Sequence, residues 1–427
     1  MSHLKIAFVV GQFPILSETF ILNQITGLID LGHDVDIYAA KPSVSRTSKV
    51  HSDVLAYQLL ERTYYCPTMP HNRIWKMIRG LGLFLINFWK APSVFLRALN
   101  VFKYGRGGAL DLINRAIPFL HRPDYDVIHS HFGPNGLLAV RLKELGLIQA
   151  PIITTFHGFD VNVGPLRYGS DMYKELFREE TIYTVNSAFT MRKVIDLGCP
   201  EKQVHKLSVG LDPAKYPFRE RTLRPSEPVK IITVARLVEK KGIEYSIRAV
   251  SIVAKRYPQA QYQIVGDGPL RGTLEQLIEE LHVSTNVKLL GWKTQDEVRD
   301  FYGGAHMFIL PSVTASNGDM EGQGLVLQEA QAMGLPVVST LHNGIPEGVL
   351  DGQSGFLVPE RDVNALAEKL FYLIEHPELW PAMGRAGRKF VEQHYDIKQL
   401  NKELVELYHR VITKERAKVA FAKGVPE

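Results

Sequence analysis

Short unbroken apolar runs alternate with longer segments whose apolar residues recur every three or four positions, and the alternation continues along almost all of the 427 residues. Runs such as "LKIAFVV" at 4–10 have no polar face, which predicts strands covered on both sides in a parallel sheet flanked by helices. The opening reads strand, helix, strand: "LKIAFVV", then "SETFILNQITGLIDLG" with Ser17 as N-cap and Gly32 as the C-terminal stop, then "HDVDIYAA". Further strands are expected at "YDVIHSHF", "PIITTFH", "TIYTVNS" and "HKLSVG". A second series follows: "VKIITVA", helix 242–256, "QYQIVG", helix 269–282, "VKLLG", helix 295–303, "MFILPS", helix 325–333, "LPVVST" and helices beyond 362. Between the series, residues 212–229 hold four prolines, many charges and no apolar period, the pattern of a linker. The expected architecture is α/β. Two doubly wound domains, 1–211 and 230–395, face a deep cleft across the linker, and a helical segment, 396–427, packs back toward the first.

Composition narrows the classes. With 45% hydrophobic and 22% charged residues the chain is globular. Its two cysteines, Cys66 and Cys199, make no disulfide framework and no metal-ligand spacing, which suits a reducing compartment. "MSHLKIAFVVGQFP" reads as a first strand rather than a secretory leader, and no run reaches the roughly 20 apolar residues of a spanning helix. A net charge of +5 is modest, and without a binding signature nucleic acid is not an expected partner. Residues 62–110 are exceptional, with eight Lys or Arg and no Asp or Glu.

Ligands of doubly wound sheets gather at the carboxyl ends of strands. In "ITVARLVEKKG" Arg236 and Lys241 follow a strand and precede a helix starting near Gly242, a place for phosphate. In "MEGQGLVLQEA" Glu321 precedes a second helix start at Gly322, Gln323, Gly324 and Leu325, and Glu329 lies about one turn in. Carboxylates accept hydroxyl hydrogens and repel phosphate, so two of them bracketing an anion-binding helix start suggest a ligand ordered hydroxyl, phosphate, hydroxyl, as in a nucleotide sugar. His157 ends a first-domain strand, a position for a polar ligand contact. His129 and His131 keep a structural reading. "DVD" at 34–36 and "DYD" at 124–126 fit a metal-holding D-x-D pattern but sit at the wrong end of their strands. Gly266, Gly268 and Gly272 give only a misspaced echo of a dinucleotide fingerprint.

The combination of "ARLVEKKG", "VGDGPL", "GW" at 291–292, E-G-x-G-L with seven residues between Glu321 and Glu329, "AMGLPVVST" and "DGQSGFLV" resembles the retaining glycosyltransferases of family 4, which have the GT-B fold of two Rossmann-like domains. The resemblance is dense over 229–395. It is thinner before that, resting on "LGHDV", "HGFD" and "VNSAFT". "FPxxSETFI" and "GDMEG" look most like bacterial exopolysaccharide enzymes of the colanic-acid type. The resemblance implies that Arg236 and Lys241 neutralise the donor diphosphate, Glu321 holds sugar hydroxyls beside the backbone of 322–325, and Glu329 holds the ribose. It further implies that main chain around Gly291, Trp292 and Lys293 meets the base, that His157 meets the sugar, and that neither a metal nor a cofactor is needed. Two departures stand out. Ile15 and Leu16 replace the family's glycine pair, so Gly11, Ser17 and Glu18 are candidates for the acceptor contact. The loop "VTASNGDM" is longer than usual.

The expected activity is retaining transfer from a UDP- or GDP-sugar to a lipid-linked or oligosaccharide acceptor. The basic segment is expected to lie as a helix pair on an anionic membrane at the cytoplasmic face, although helices packed on the first sheet would share its apolar content. Competing readings are a GT-B binding protein without activity, a sugar-nucleotide epimerase and a nucleotide-cofactor oxidoreductase. The last is disfavoured because "GQFPILSETF" lacks G-x-G-x-x-G.

Overall fold

The computed structural model describes residues 2–15, 18–42, 51–120 and 124–422. It consists of two compact units. One comprises Met1–Val185, Lys193–Leu207 and Asn401–Glu427; the other Asn186–Arg192 and Ser208–Leu400.

The first unit is a seven-stranded parallel sheet of β1 (Lys5–Phe13), β2 (Asp34–Pro42), β3 (Thr63–Tyr65), β4 (Val127–His131), β5 (Ile152–Phe156), β6 (Ile182–Val185) and β7 (Val204–Lys206), ordered β3-β2-β1-β4-β5-β6-β7. β4, β5 and β6 are buried at every position, including the polar residues His129, Ser130, His131, Thr154, Thr155 and Thr184, as strands covered on both faces of a parallel sheet are. The helix expected after β1 forms over Thr19–Asp30. Gly32 follows at φ +86°, a left-handed position that favours glycine. Ser17, the expected N-cap, lies outside the described residues.

The second unit is a six-stranded parallel sheet of β8 (Lys230–Val234), β9 (Gln261–Val265), β10 (Val287–Gly291), β11 (Met307–Leu310), β12 (Val337–Thr340) and β13 (Gly355–Val358), ordered β10-β9-β8-β11-β12-β13. Crossover helices Ile243–Arg256, Arg271–Glu280, Gln295–Gly304 and Leu325–Ala332 fall where their apolar periodicity predicts them. In both sheets the order reverses beside the first strand of the series, between β1 and β4 and between β8 and β11. Such a switch point opens a crevice at the carboxyl ends of those strands.

Three findings differ from the sequence reading. β1 continues to Phe13, pairing Gln12 with Lys41 and Phe13 with Pro42, so Gly11 is a strand residue rather than a loop residue. The proline-rich stretch 212–229 packs within the second unit. Its Arg221 is buried and donates to the carbonyl oxygens of Gly303, Ala305 and Met333. A guanidinium's five donors make this burial tolerable, and composition does not reveal it. The basic segment forms three helices, Arg73–Phe88, Pro92–Ala98 and Val101–Ala116, where a pair was expected.

Candidate functional site

In the second unit the chain leaves β8 with Ala235 and Leu237 buried and Arg236 exposed between them. One turn, Glu239–Lys241, leads to helix Ile243–Arg256 through Gly242, whose φ is +61°. A side chain at Gly242 would strike the carbonyl oxygen of Pro311. Glycine therefore lets the loop after β8 lie against the loop after β11.

That close approach brings two cations onto two carboxylates. Lys241 Nζ pairs with Glu321 Oε2, their side chains only 12% and 13% exposed. Lys240 Nζ lies 3.1 Å from Asp319 Oδ1. Burial alone would push Glu321 up, but the ammoniums of Lys241 and Lys240 outweigh it and hold the carboxyl at about 2. Glu321 is an anion at any working pH. Arg236, exposed, has no ion-pair partner among the described residues.

The long loop after β11 is tied down at several points. Val313 N donates to Lys240 O over 2.9 Å, Ser316 N and Oγ donate to the Glu239 carboxylate at 2.8 and 2.7 Å, and Thr314 N donates to Glu360 at 2.8 Å. Fully buried His342 accepts from Glu321 N at 3.1 Å through Nε2, so its Nδ1 carries the proton that bonds Glu360 at 2.5 Å. Asn343 Nδ2 donates to Glu321 O at 3.2 Å. The sequence reading does not single out Lys240, Asp319, His342, Asn343 or Glu360. The signal for His342 and Asn343 was their place just after β12, the same strand-end position that singled out Arg236.

Gly324, at φ +79°, precedes helix Leu325–Ala332, which has no side-chain cap. Its first N–H groups are thus available to an acceptor such as a phosphate. Gly322 is buried. Gln323's side chain is committed to Val209, accepting from its N and donating to its O at 2.8 Å each, so only Gln323's backbone remains for a ligand.

Glu329 differs from Glu321. It is 5% exposed and accepts from Tyr302 Oη at 3.1 Å and from the Tyr216 hydroxyl. Burial raises its carboxyl to about 7 against the pull of those hydroxyls and of the charges of Arg299 and Lys241. Lys241's field thus reaches both glutamates.

β10 ends at Gly291, whose carbonyl accepts from Gly266 N at 2.9 Å. Trp292 is exposed, and Lys293 lies 3.6 Å from Glu297.

In the first unit His157 follows β5. Buried Asp160 accepts from the backbone N–H of His157, Gly158 and Gly133 at 3.1, 3.0 and 2.9 Å, fastening the loop after β5 to the helix after β4. His131 and His157 stack with planes 10° apart and share a 3.0 Å hydrogen bond. His129 bonds Tyr408 and Thr155 at 2.7 Å each. Burial pushes His129 and His157 down to about 3, and His131 well below its ordinary value. The cluster is neutral. Gly11 borders open space, and Glu18 begins the helix Thr19–Asp30.

The D-x-D carboxylates are engaged at the start of the first sheet. Asp36 accepts from Tyr125 Oη at 2.7 Å, and Asp126 from Lys5 N at 2.9 Å.

Comparison with known proteins places the chain in a family. Residues 215–390 match the family described as Glycosyl transferases group 1, and residues 17–210 match the Glycosyl transferase 4-like domain. A protein of Escherichia coli, named as a colanic acid biosynthesis glycosyltransferase, is 37% identical over 95% of this chain and 99% of its own. The amylovoran biosynthesis glycosyltransferase of Erwinia amylovora is 34% identical over 96% of this chain and all of its own. Among solved structures, Anabaena HepE in complex with UDP and glucose superposes with a TM-score of 0.68 at 18% identity, covering 95% of this chain and 99% of HepE.

Proposed function

The chain belongs to the glycosyl transferases of group 1, and from that premise we propose that it moves a sugar from a nucleotide-sugar donor, with a UDP- or GDP-type base, onto a growing exopolysaccharide chain with retention of configuration. The exopolysaccharide assignment follows the named activities of its two relatives. The observation that carries the rest is the Lys241–Glu321 pair at the β8/β11 switch point, with Arg236 on the same strand end and an uncapped helix start at Gly324.

In this reading the donor exchanges partners with the ion pair. The diphosphate takes Lys241 and Arg236, which frees Glu321 to accept hydrogens from the sugar hydroxyls. Glu329 receives the ribose hydroxyls, and main chain at 291–293 meets the base. His157, neutral and able both to donate and to accept, is kept as a polar contact for a substrate hydroxyl.

The bond that breaks joins the anomeric carbon to a phosphate oxygen. Negative charge grows on that oxygen and positive charge on the ring, so cations held in place beforehand lower the barrier more than they favour the bound donor. The acceptor hydroxyl oxygen bonds the anomeric carbon on the face the phosphate leaves, and its proton passes to the departing phosphate oxygen. The two ammonium and guanidinium groups supply the counter-charge, and no metal is required.

Incubating the enzyme with a panel of UDP-, GDP- and ADP-sugars without acceptor tests this reading. Release of one nucleoside diphosphate, lost on Lys241→Ala, is the expected result. Tight nucleotide binding with no turnover of any donor would favour a binding protein instead.

A further inference from the structure

Helix Arg73–Phe88 carries its apolar stripe outward. At about 100° per residue, Ile74, Ile78, Leu81 and Leu85 fall in one line, and they are exposed together with Trp75 and Trp89. Ile74 is 69%, Trp75 62% and Trp89 82% exposed, while the opposite side buries Gly80 and Asn87. An ordinary surface helix points its apolar stripe at the core. This one places Gly80 and Asn87 there, with Leu83, Phe84 and Phe88 half-buried beside them, and leaves the stripe itself in solvent. The apolar surface continues onto helix Pro92–Ala98 through exposed Leu96, with Leu99 just beyond.

We propose that this face is a docking surface for an anionic lipid bilayer. Charge decides between occupants. Residues 62–110 contain eight Lys or Arg and no Asp or Glu, and Arg79, Lys90 and Arg97 are exposed around the stripe. Two copies meeting through this face would set like charges against each other. An anionic leaflet meets them with the opposite sign and accepts the leucines, isoleucines and indoles at its headgroup boundary. No helix among the described residues is long and apolar enough to cross a membrane, so the attachment is parallel to the surface. The inference deepens the transferase reading and rests on it in one respect: an enzyme held there meets an acceptor whose saccharide is carried on a lipid.

Sedimentation of the full chain with phosphatidylcholine vesicles, with and without phosphatidylglycerol, tests the surface without any sugar chemistry. Binding is expected only with phosphatidylglycerol and falls with added salt. Lys76, Arg79, Lys90 and Arg97 changed together to Gln should weaken it by roughly several hundredfold, since each cation near an anionic leaflet is worth about fivefold. A second variant, Ile74→Ser with Ile78→Ser, Leu81→Ser and Leu85→Ser, removes exposed side chains only. It should abolish binding and keep donor hydrolysis. Wild-type protein left in the supernatant at low salt overturns the proposal, as does a dimer in light scattering that the serine variant converts to a monomer. Hydrolysis is read in the same samples without vesicles, so loss of membrane binding and failure of the transferase reading are separate outcomes.

Discussion

At the carboxyl ends of its strands the first unit stacks imidazoles, whereas the second crowds ammonium groups against carboxylates. Loss of water keeps buried His129 and His131 and half-buried His157 neutral. Glu321 is also largely buried, yet two lysines keep it an anion at about 2. The difference is one of supply: burial disfavours charge everywhere, and charge survives only where the opposite charge is brought within contact. Glu329, eight residues from Glu321, proves the rule within one unit. Hydroxyls from Tyr302 and Tyr216 replace the lysines, and its carboxyl rises to about 7.

The largest expected effect tests whether the charged end does the chemistry. Arg236→Ala and Lys241→Ala should each lower turnover by about 10² to 10³, the typical loss for a transition-state charge contact. Their stabilities should part. Exposed Arg236 leaves nothing behind, so its melting temperature should hold. Lys241→Ala strands Glu321 without its partner and should melt lower. Near-normal activity in both variants would sink the assignment.

Next comes the contrast between the two glutamates, read as stability against pH. Glu321 titrates lower folded than its ordinary 4.5. Its contribution is therefore present above 4.5 and lost as pH falls toward 2. Glu329 titrates higher folded, so its contribution is present below 4.5 and lost as pH rises through 7. Glu321→Gln should flatten the acid limb. Glu329→Gln should flatten the limb between 4.5 and 7 and stand above wild type beyond it, by up to about 3 kcal/mol, or roughly 10² in the folding equilibrium. Urea midpoints across that range decide. The same pair separates ligand roles: Glu321→Gln should weaken a nucleotide sugar about tenfold and spare the free nucleoside diphosphate, whereas Glu329→Gln weakens both. Calorimetry showing equal losses for both ligands in Glu321→Gln rejects that split.

A smaller effect should appear in the first unit. Folded His129 and His157 titrate below 6.5, so their contribution is full above 6.5 and lost as pH falls toward 3. Each imidazole should cost up to about tenfold in the opening equilibrium per pH unit over that window. Hydrogen exchange of β4 and β5 amides should therefore quicken relative to β8 and β11 as pH falls from 6.5 to 4.5, after correction for intrinsic exchange. In the second unit, Glu329 gains over the same interval. Equal loss in both sheets would erase the contrast.

Much of this was legible beforehand. Strands buried on both faces announce themselves as apolar runs, which is why β1, β8 and β11 could be read, while β3 and β13 are edge strands, each with two half-buried positions. Arg236, Lys241 and Glu321 were visible from their places beside predicted strand ends. Their contact was not. Lys241 and Glu321 are 80 positions apart, and nothing local says that the loop after β8 rests on Pro311. The same gap hid His342 and Glu360, whose bond depends on β12 lying next to β13. Nor does a helical glutamate's spacing disclose that two tyrosines will bury it, as they do Glu329.

The smallest expected effect is none at all, and it bears on the charged end directly. If Arg236 and Lys241 supply the counter-charge for the leaving diphosphate, a divalent cation has no remaining task there, and activity should survive EDTA unchanged. The D-x-D carboxylates point the same way, since Asp36 and Asp126 are already bonded to Tyr125 and Lys5 at the opening ends of their strands. Loss of activity in EDTA, restored by Mn²⁺ or Mg²⁺, would show that two fixed cations fall short of the charge the diphosphate develops. The contrast between a neutral first unit and a charged second would then need an ion to complete it.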